Sequence, residues 1–226
     1  MAYDFDEIAR DYDRMNHLMT AGLDRCWRKR AVQGLHGKVL DVACGTGDMV
    51  VELLRTRHAA SLQVTGVDLS EEMMAIAKRK APQAEYRLAD VERLPFGDAS
   101  FDAVTCAFGV RNFVHLEQGL REMLRVLKPG GKLVILELAT PDNALIRSFY
   151  RLYSHHIIPL LGKFLAGNRQ AYTYLPESIE HFPKGKKFID IIEGLGAQCT
   201  QRKLTMGVCR LYRINKEVAA VRPLSH

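Results

Sequence analysis

Apolar residues in this chain fall into two kinds of run that take turns along it. Short stretches with little polar interruption cover Val39-Leu40-Asp41-Val42, Leu62 to Val67, Ala84 to Leu88, Phe101 to Phe108 and Lys132 to Leu138, each of strand length. Between them lie segments of helical period over 48–57, 70–80 and 115–127, the second closed by Pro82 and the third by Lys128-Pro129-Gly130-Gly131. Uninterrupted apolar strands alternating with amphipathic helices predict a parallel sheet covered by helices on both faces. Ahead of the first strand, Phe5, Ile8, Ala9, Tyr12, Met15 and Met19 recur at three- and four-residue steps, so 5–34 reads as helical, broken at Gly22. Such a pair of helices forms a lid that folds over a ligand and excludes water. Toward the C-terminus come helices over 176–181 and 184–194, then strands over 198–204 and 208–214 joined by Thr205-Met206-Gly207, a connection of hairpin length. The expected fold is α/β: a mostly parallel seven-stranded sheet with a C-terminal antiparallel hairpin and an N-terminal helical lid.

The segment 143–167 breaks the pattern. Leu145-Ile146, Phe149-Tyr150, Leu152-Tyr153, Ile157-Ile158, Leu160-Leu161 and Phe164-Leu165 make an apolar face too wide for an ordinary surface helix. Burial against the sheet accounts for about half of such a face, and an apolar ligand, a partner or a membrane interface covers the rest. The chain is expected to be one domain over 1–226, divided into a lid (1–36), a cofactor-binding core (37–140), a helical insertion over the substrate (141–197) and the C-terminal strands (198–216).

Composition narrows the class without changing this picture. With 226 residues, 47% of them hydrophobic and 26% charged, the chain can bury one sizeable core. Its net charge of +6 is spread without a dense basic block, which favours an anionic membrane surface over nucleic acid. Five cysteines without CxxC spacing read as reduced thiols, and eight histidines without paired ligand spacing argue against a metal site. The first residues lack the order of a signal peptide and no apolar run is long enough to span a bilayer, so a cytoplasmic protein is expected, touching a membrane at most peripherally. The sequence leaves its oligomeric state open, a homodimer included.

Candidate chemistry gathers where the first strand ends. Asp41-Val42-Ala43-Cys44-Gly45-Thr46-Gly47-Asp48 closes a buried strand in a glycine turn that opens a helix, the place where parallel sheets bind nucleotide-like ligands. The third glycine or alanine of a dinucleotide fingerprint is replaced by Val50, and Asp48 puts a negative charge where a pyrophosphate would sit. A ligand with a carboxylate and an ammonium but no phosphate fits better, which is S-adenosylmethionine. Asp68, with Leu69 after it, ends the second strand about twenty residues on, the spacing at which an acid takes both ribose hydroxyls. Asp90, followed by Val91, ends the third strand and is placed to receive an adenine amino group. The plainer alternative, that these acids only cap the following helices, competes most strongly at Asp48.

Those motifs, with Leu127-Lys128-Pro129-Gly130-Gly131 and Leu133-Val134-Ile135, resemble the Rossmann-like class I methyltransferases that use S-adenosylmethionine. Residues elsewhere resemble one branch, the demethylmenaquinone methyltransferase family of quinone biosynthesis. They are Tyr12 to Met19 with Trp27-Arg28, Phe108-Gly109-Val110-Arg111-Asn112, Glu122 to Gly131 with Leu136-Glu137, Tyr153-Ser154 with Pro159, Tyr174-Leu175-Pro176-Glu177-Ser178-Ile179 and Leu204 to Val208. The strand-end motifs make Asp41, Gly45, Gly47 and Leu69 candidate cofactor contacts, and the resemblance implies further contacts at Thr46, Asp68, Asp90, Val91 and Ala107. Ala107 stands where the family often has a serine, leaving only packing or backbone. It implies methyl transfer to a ring carbon of a prenylated quinol, most directly demethylmenaquinol, with the benzoquinol of ubiquinone biosynthesis as the alternative.

Arg111 and Asn112 leave the carboxyl end of the fourth strand, where a guanidinium and an amide can steady a quinolate oxygen. Arg111 stays protonated, so proton removal would run through water, or through His155 or His156, of which one at most would enter a pocket. Two other readings compete: a cofactor-binding subunit without catalysis, and a methyltransferase acting on RNA or on another small molecule. The apolar 145–165 segment favours a greasy substrate over RNA.

Overall fold

A computed structural model describes residues 9–57, 59–154 and 170–216. The lid helices are α1 (Ala9–Met19) and α2 (Leu23–Ala31), separated by Gly22, whose φ of 74° is the left-handed turn the break requires. The alternating core follows as β1 (Gly37–Val42), α3 (Asp48–Leu54), β2 (Leu62–Asp68), α4 (Glu71–Lys80), β3 (Glu85–Leu88), β4 (Phe101–Ala107), α5 (Leu116–Val126) and β5 (Leu127–Leu138). The rest comprises α6 (Ala144–Leu152), α7 (Gln170–His181), α8 (Lys186–Gly194), β6 (Ala197–Leu204) and β7 (Cys209–Lys216).

The seven strands form one sheet in the order β3-β2-β1-β4-β5-β7-β6. β1 to β5 pair in parallel, while β7 runs antiparallel to both β5 and β6. Chain order reverses between β1 and β4, so the crevice for a ligand opens at their carboxyl ends. Two apolar layers hold the sheet. On one face Leu40, Val104, Leu120, Met123, Phe188, Ile192 and Tyr212 pack together, and on the other Val39, Trp27, Val50, Leu53, Met74 and Val134 do. Each fully buried Leu, Val or Phe contributes about 1.5–3 kcal/mol, so these interdigitating side chains dominate the stability.

Local signals set the boundaries. Ser70 caps α4 by accepting from the Met73 N–H at 3.0 Å, and Asn143 caps α6 through the Leu145 and Ile146 amides. The C-terminal connection is a 3-10 turn, Thr205–Gly207, with Thr205, Met206 and Gly207 all at positive φ. The indole N–H of buried Trp27 donates to Thr205 Oγ1 at 2.9 Å, so α2 is pinned to this turn.

Three expectations are corrected. β5 begins at Leu127 rather than Lys132, because Phe101 pairs with Leu127 and Ala103 already pairs with Lys132. The intervening Lys128-Pro129-Gly130-Gly131 is looped out as a bulge, with Gly130 at φ 75°. No glycine C-cap closes α5; the Arg125 and Val126 carbonyls accept instead from the Ala99 and Ser100 amides. Helix α7 starts six residues before Pro176, which therefore lies inside it; Ile179 and Phe182 beyond the proline are buried and hold the chain there. His155, His156 and the rest of the apolar segment to Gly167, Phe5 and Ile8 of the lid, and the tail after Lys216 lie outside the described residues.

Candidate active site

A cavity of about 320 Å³ opens at the carboxyl ends of β1, β2, β3 and β4. Two non-glycine residues in its wall, Ala43 after β1 and Phe108 after β4, are held in the left-handed region at φ 52° and 61°. Strain of this kind persists only where the surroundings fix the backbone, and it collects at ligand sites. Gly109 makes the close approach possible: a Cβ there would sit 2.7 Å from that of Ala43.

Asp68 joins two of the strand ends. Its Oδ2 accepts from the Gly45 N–H at 2.7 Å and its Oδ1 from the Ser70 N–H at 3.0 Å, so the glycine turn and the start of α4 are fixed to one carboxylate. Asp90 accepts from the Glu92 N–H at 2.9 Å and caps the 3-10 turn Val91–Arg93. Ala89, Asp90, Val91 and Glu92 make one side of the cavity, Asn112, Phe113 and Val114 the other. Leu69 and Val114, both lining the cavity, stay 66% and 70% exposed and give it apolar edges.

Gly45, Asp68, Leu69, Asp90, Val91, Ala107 and Asn112 thus come together around one cavity, along with Tyr12 from the lid. Burial raises the Tyr12 phenol pKa, while Arg111 and Arg28 nearby pull it back down. Asp41, Thr46, Gly47 and Arg111 are absent from the wall, each for a visible reason. The Thr46 hydroxyl donates to Asp13 of α1. Gly47 turns at φ 83° against α4, where a Cβ would lie 2.8 Å from that of Ala77. Asp48 pairs with Lys80.

Arg111 stands behind the cavity lining, held by partners from the protein. Its Nη1 contacts Glu137 Oε1 at 2.8 Å and the Phe108 carbonyl, and its Nε donates to Ser178 Oγ at 3.3 Å. Side chains 5% and 1% exposed make this a buried ion pair that ties the 3-10 turn Val110–Asn112 to β5 and α7. Glu137 lies 26 residues along the chain and nothing in the sequence marks it as the partner.

Asp41, 1% exposed, accepts from the Thr105 hydroxyl at 2.6 Å, while its other oxygen finds no donor. Burial pushes its carboxyl pKa up to about 7. A cationic ligand would meet the carboxylates of the cavity wall and not this buried one. That wall is acidic: Asp68, Asp90 and Glu92 line it, with no lysine or arginine among its described residues. That lining suits a cationic sulfonium and repels a pyrophosphate, so the residues fit S-adenosylmethionine. Among the described residues the one group with metal-ligand spacing is His17, Asp24 and Asp48, and the cations Arg28 and Lys80 already pair with its carboxylates.

Comparison with known proteins gives the same answer from an independent direction. Solved structures of S-adenosylmethionine-dependent methyltransferases share the fold: one from Thermotoga maritima superposes with a TM-score of 0.69 at 18% identity, covering 96% of this chain and 100% of its own. Another, from Aquifex aeolicus, gives 0.64 at 18% identity over 90% and 97%. Curated relatives are nearer in sequence. The demethylmenaquinone methyltransferase of Porphyromonas gingivalis is 44% identical over 92% of this chain and 89% of its own. That of Bacteroides fragilis is 42% identical over 94% and 90%. The ubiquinone/menaquinone biosynthesis C-methyltransferase of Geotalea daltonii is 42% identical over 92% of each. The model of the ubiE/COQ5 methyltransferase family matches residues 2–216, and the chain belongs to that family.

Proposed function

We propose that this enzyme moves a methyl group from S-adenosylmethionine to a ring carbon of a prenylated quinol, demethylmenaquinol in the first instance. The observation that carries the reading is the cavity wall: three carboxylates without a lysine or arginine, beneath an apolar rim, at the switch point of a class I methyltransferase sheet. The printed names of the relatives supply the substrate class, and the Geotalea relative, named for both quinones, keeps the benzoquinol as the second reading.

Bound in this cavity, S-adenosylmethionine supplies an electrophilic methyl on a cationic sulfur. Asp68 takes the ribose hydroxyls while keeping the glycine turn in place, and Asp90 accepts from the adenine amine. Tyr12 closes the cavity from the lid and excludes water. Asn112, on the cavity lining, would bond the quinol oxygen. Behind it Arg111, partly neutralised by Glu137, contributes a positive field that favours loss of the quinol proton to water or to a base, with His155 the candidate. Holding carbon, methyl and sulfur in line supplies much of the acceleration. For a prenylated substrate, peripheral contact with a membrane surface follows; Leu145, Phe149 and Leu152, exposed on one face of α6, support it.

The test is incubation of the enzyme with methyl-labelled S-adenosylmethionine and reduced demethylmenaquinone, followed by mass spectrometry. Label on a ring carbon is expected. Cofactor binding without label transfer to this or the benzoquinol substrate would leave a binding subunit and refute the enzyme reading.

A further inference from the structure

Glu92 sits on the cavity wall, yet its carboxylate is spent on the opposite wall. Oε1 accepts from the His115 N–H at 2.6 Å, Oε2 meets the His115 imidazole at 2.7 Å, and the Glu92 carbonyl accepts from Gln118 Nε2 at 3.2 Å. His115 is the residue before α5 and offers no side-chain cap to that helix. Glu117 supplies one acid in the first turn of α5, and Glu92 adds a second from across the slot by holding the His115 amide. The His115 amide, first among several contacts, holds the Glu92 carboxyl below the usual range.

The segment clasped in this way is the one that carries Phe113 and Val114 into the cavity. Phe113 lies on Gly119 of α5, where a Cβ would meet the Phe113 ring at 2.7 Å, so the second wall is seated on a residue without a side chain. Two independent features, the carboxylate clasp and the glycine seat, thus fix how far the Phe113–Val114 wall stands from Asp90 and Val91.

We infer that Glu92 is a positioning residue that sets the width of the slot for the cofactor's base, by capping α5 from the opposite wall. The inference rests on the reading of this cavity as the S-adenosylmethionine site. Its consequence is selectivity: a slot held at fixed width admits an unsubstituted purine and excludes one with a bulky group on the 6-amino nitrogen.

Calorimetry with S-adenosylhomocysteine and steady-state kinetics on the full chain test it. Glu92→Ala is expected to weaken binding and raise the KM for S-adenosylmethionine roughly tenfold, the scale of a lost charged hydrogen bond, with a smaller effect on kcat. Glu92→Gln, which keeps an acceptor for the His115 amide, should recover most of the affinity. His115→Ala should do less harm than Glu92→Ala, because the backbone bond survives. Gly119→Ala should reproduce the KM effect by displacing Phe113, and it carries the test if Glu92→Ala does not fold. The penalty for an S-adenosylhomocysteine analogue enlarged at the 6-amino group should shrink in Glu92→Ala. Wild-type affinity in Glu92→Ala and Gly119→Ala, or an unchanged penalty for the enlarged analogue, overturns the inference. Failure of the wild-type enzyme to bind S-adenosylhomocysteine overturns the site reading instead.

Discussion

At the scale of single residues, the site reuses its carboxylates. Asp68 holds the glycine turn and the start of α4 while facing the cavity, so its loss should cost binding first. Asp68→Ala is expected to weaken S-adenosylmethionine binding by about 1.5–3 kcal/mol, the range for a charged hydrogen bond, in a protein that still folds. Calorimetry giving wild-type affinity would remove Asp68 from the site. Arg111 behaves differently. Removing its guanidinium leaves Glu137, 1% exposed, as a buried charge without its cation. Arg111→Leu should therefore lower stability by about 3–5 kcal/mol, as broken buried pairs do. Thermal melts check this, and adding Glu137→Leu should restore much of the loss. A single variant that melts like wild type would contradict the pairing. The sequence carried Asp68, Asp90 and Asn112 to the cavity because a short strand-end motif fixes its own geometry. It could not carry Arg111 to Glu137, since a pairing across 26 residues depends on how β4 and β5 register.

At the scale of elements, the two halves of the lid are held by different forces. Helix α2 is pinned by buried Trp27, by its bond to Thr205, and by Arg213, whose guanidinium donates to the Arg30 carbonyl at 2.9 Å. Helix α1 buries Met15 and is tied to the glycine turn by charge: Lys80 bridges Asp13 at 2.8 Å and Asp48, and Asp13 accepts from Thr46. Such partly exposed ion pairs are worth about 0.2–1 kcal/mol, less than a buried indole. Lys80→Met should accordingly leave the melting temperature almost unchanged while speeding amide exchange in α1 over α2. Equal exchange in both helices would contradict the division. The lid itself was legible from the three- and four-residue spacing and from Gly22. So was the alternation of strands and helices, because strands buried on both faces need no polar positions. The ionic tie was not legible, and neither was the start of β5, whose bulge hides behind a Pro-Gly-Gly that reads as a plain turn.

For the molecule as a whole, one buried acid sets a pH dependence. Folding raises the Asp41 pKa from 3.8 to about 7, so between those values the folded chain holds a proton that the unfolded chain releases. Stability from this group is present below pH 3.8, declines as the pH rises to about 7, and is flat above. Asp41→Asn should remove that decline, its melting temperature gaining on wild type from acid to neutral pH; parallel curves would contradict the assignment. The same sheet that buries Asp41 opens the cavity at its switch point, and the acidic wall there suits a cationic methyl donor whose acceptor carbon must be nucleophilic. Only the hydroquinone has the hydroxyl whose deprotonation delivers charge to the neighbouring ring carbon. The most direct measurement is thus methyl transfer to demethylmenaquinone under controlled redox state, with the product read by mass spectrometry. Ring methylation of the quinol, with none of the quinone, is the predicted result. Equal methylation of both, with the oxidation state verified, would contradict the account.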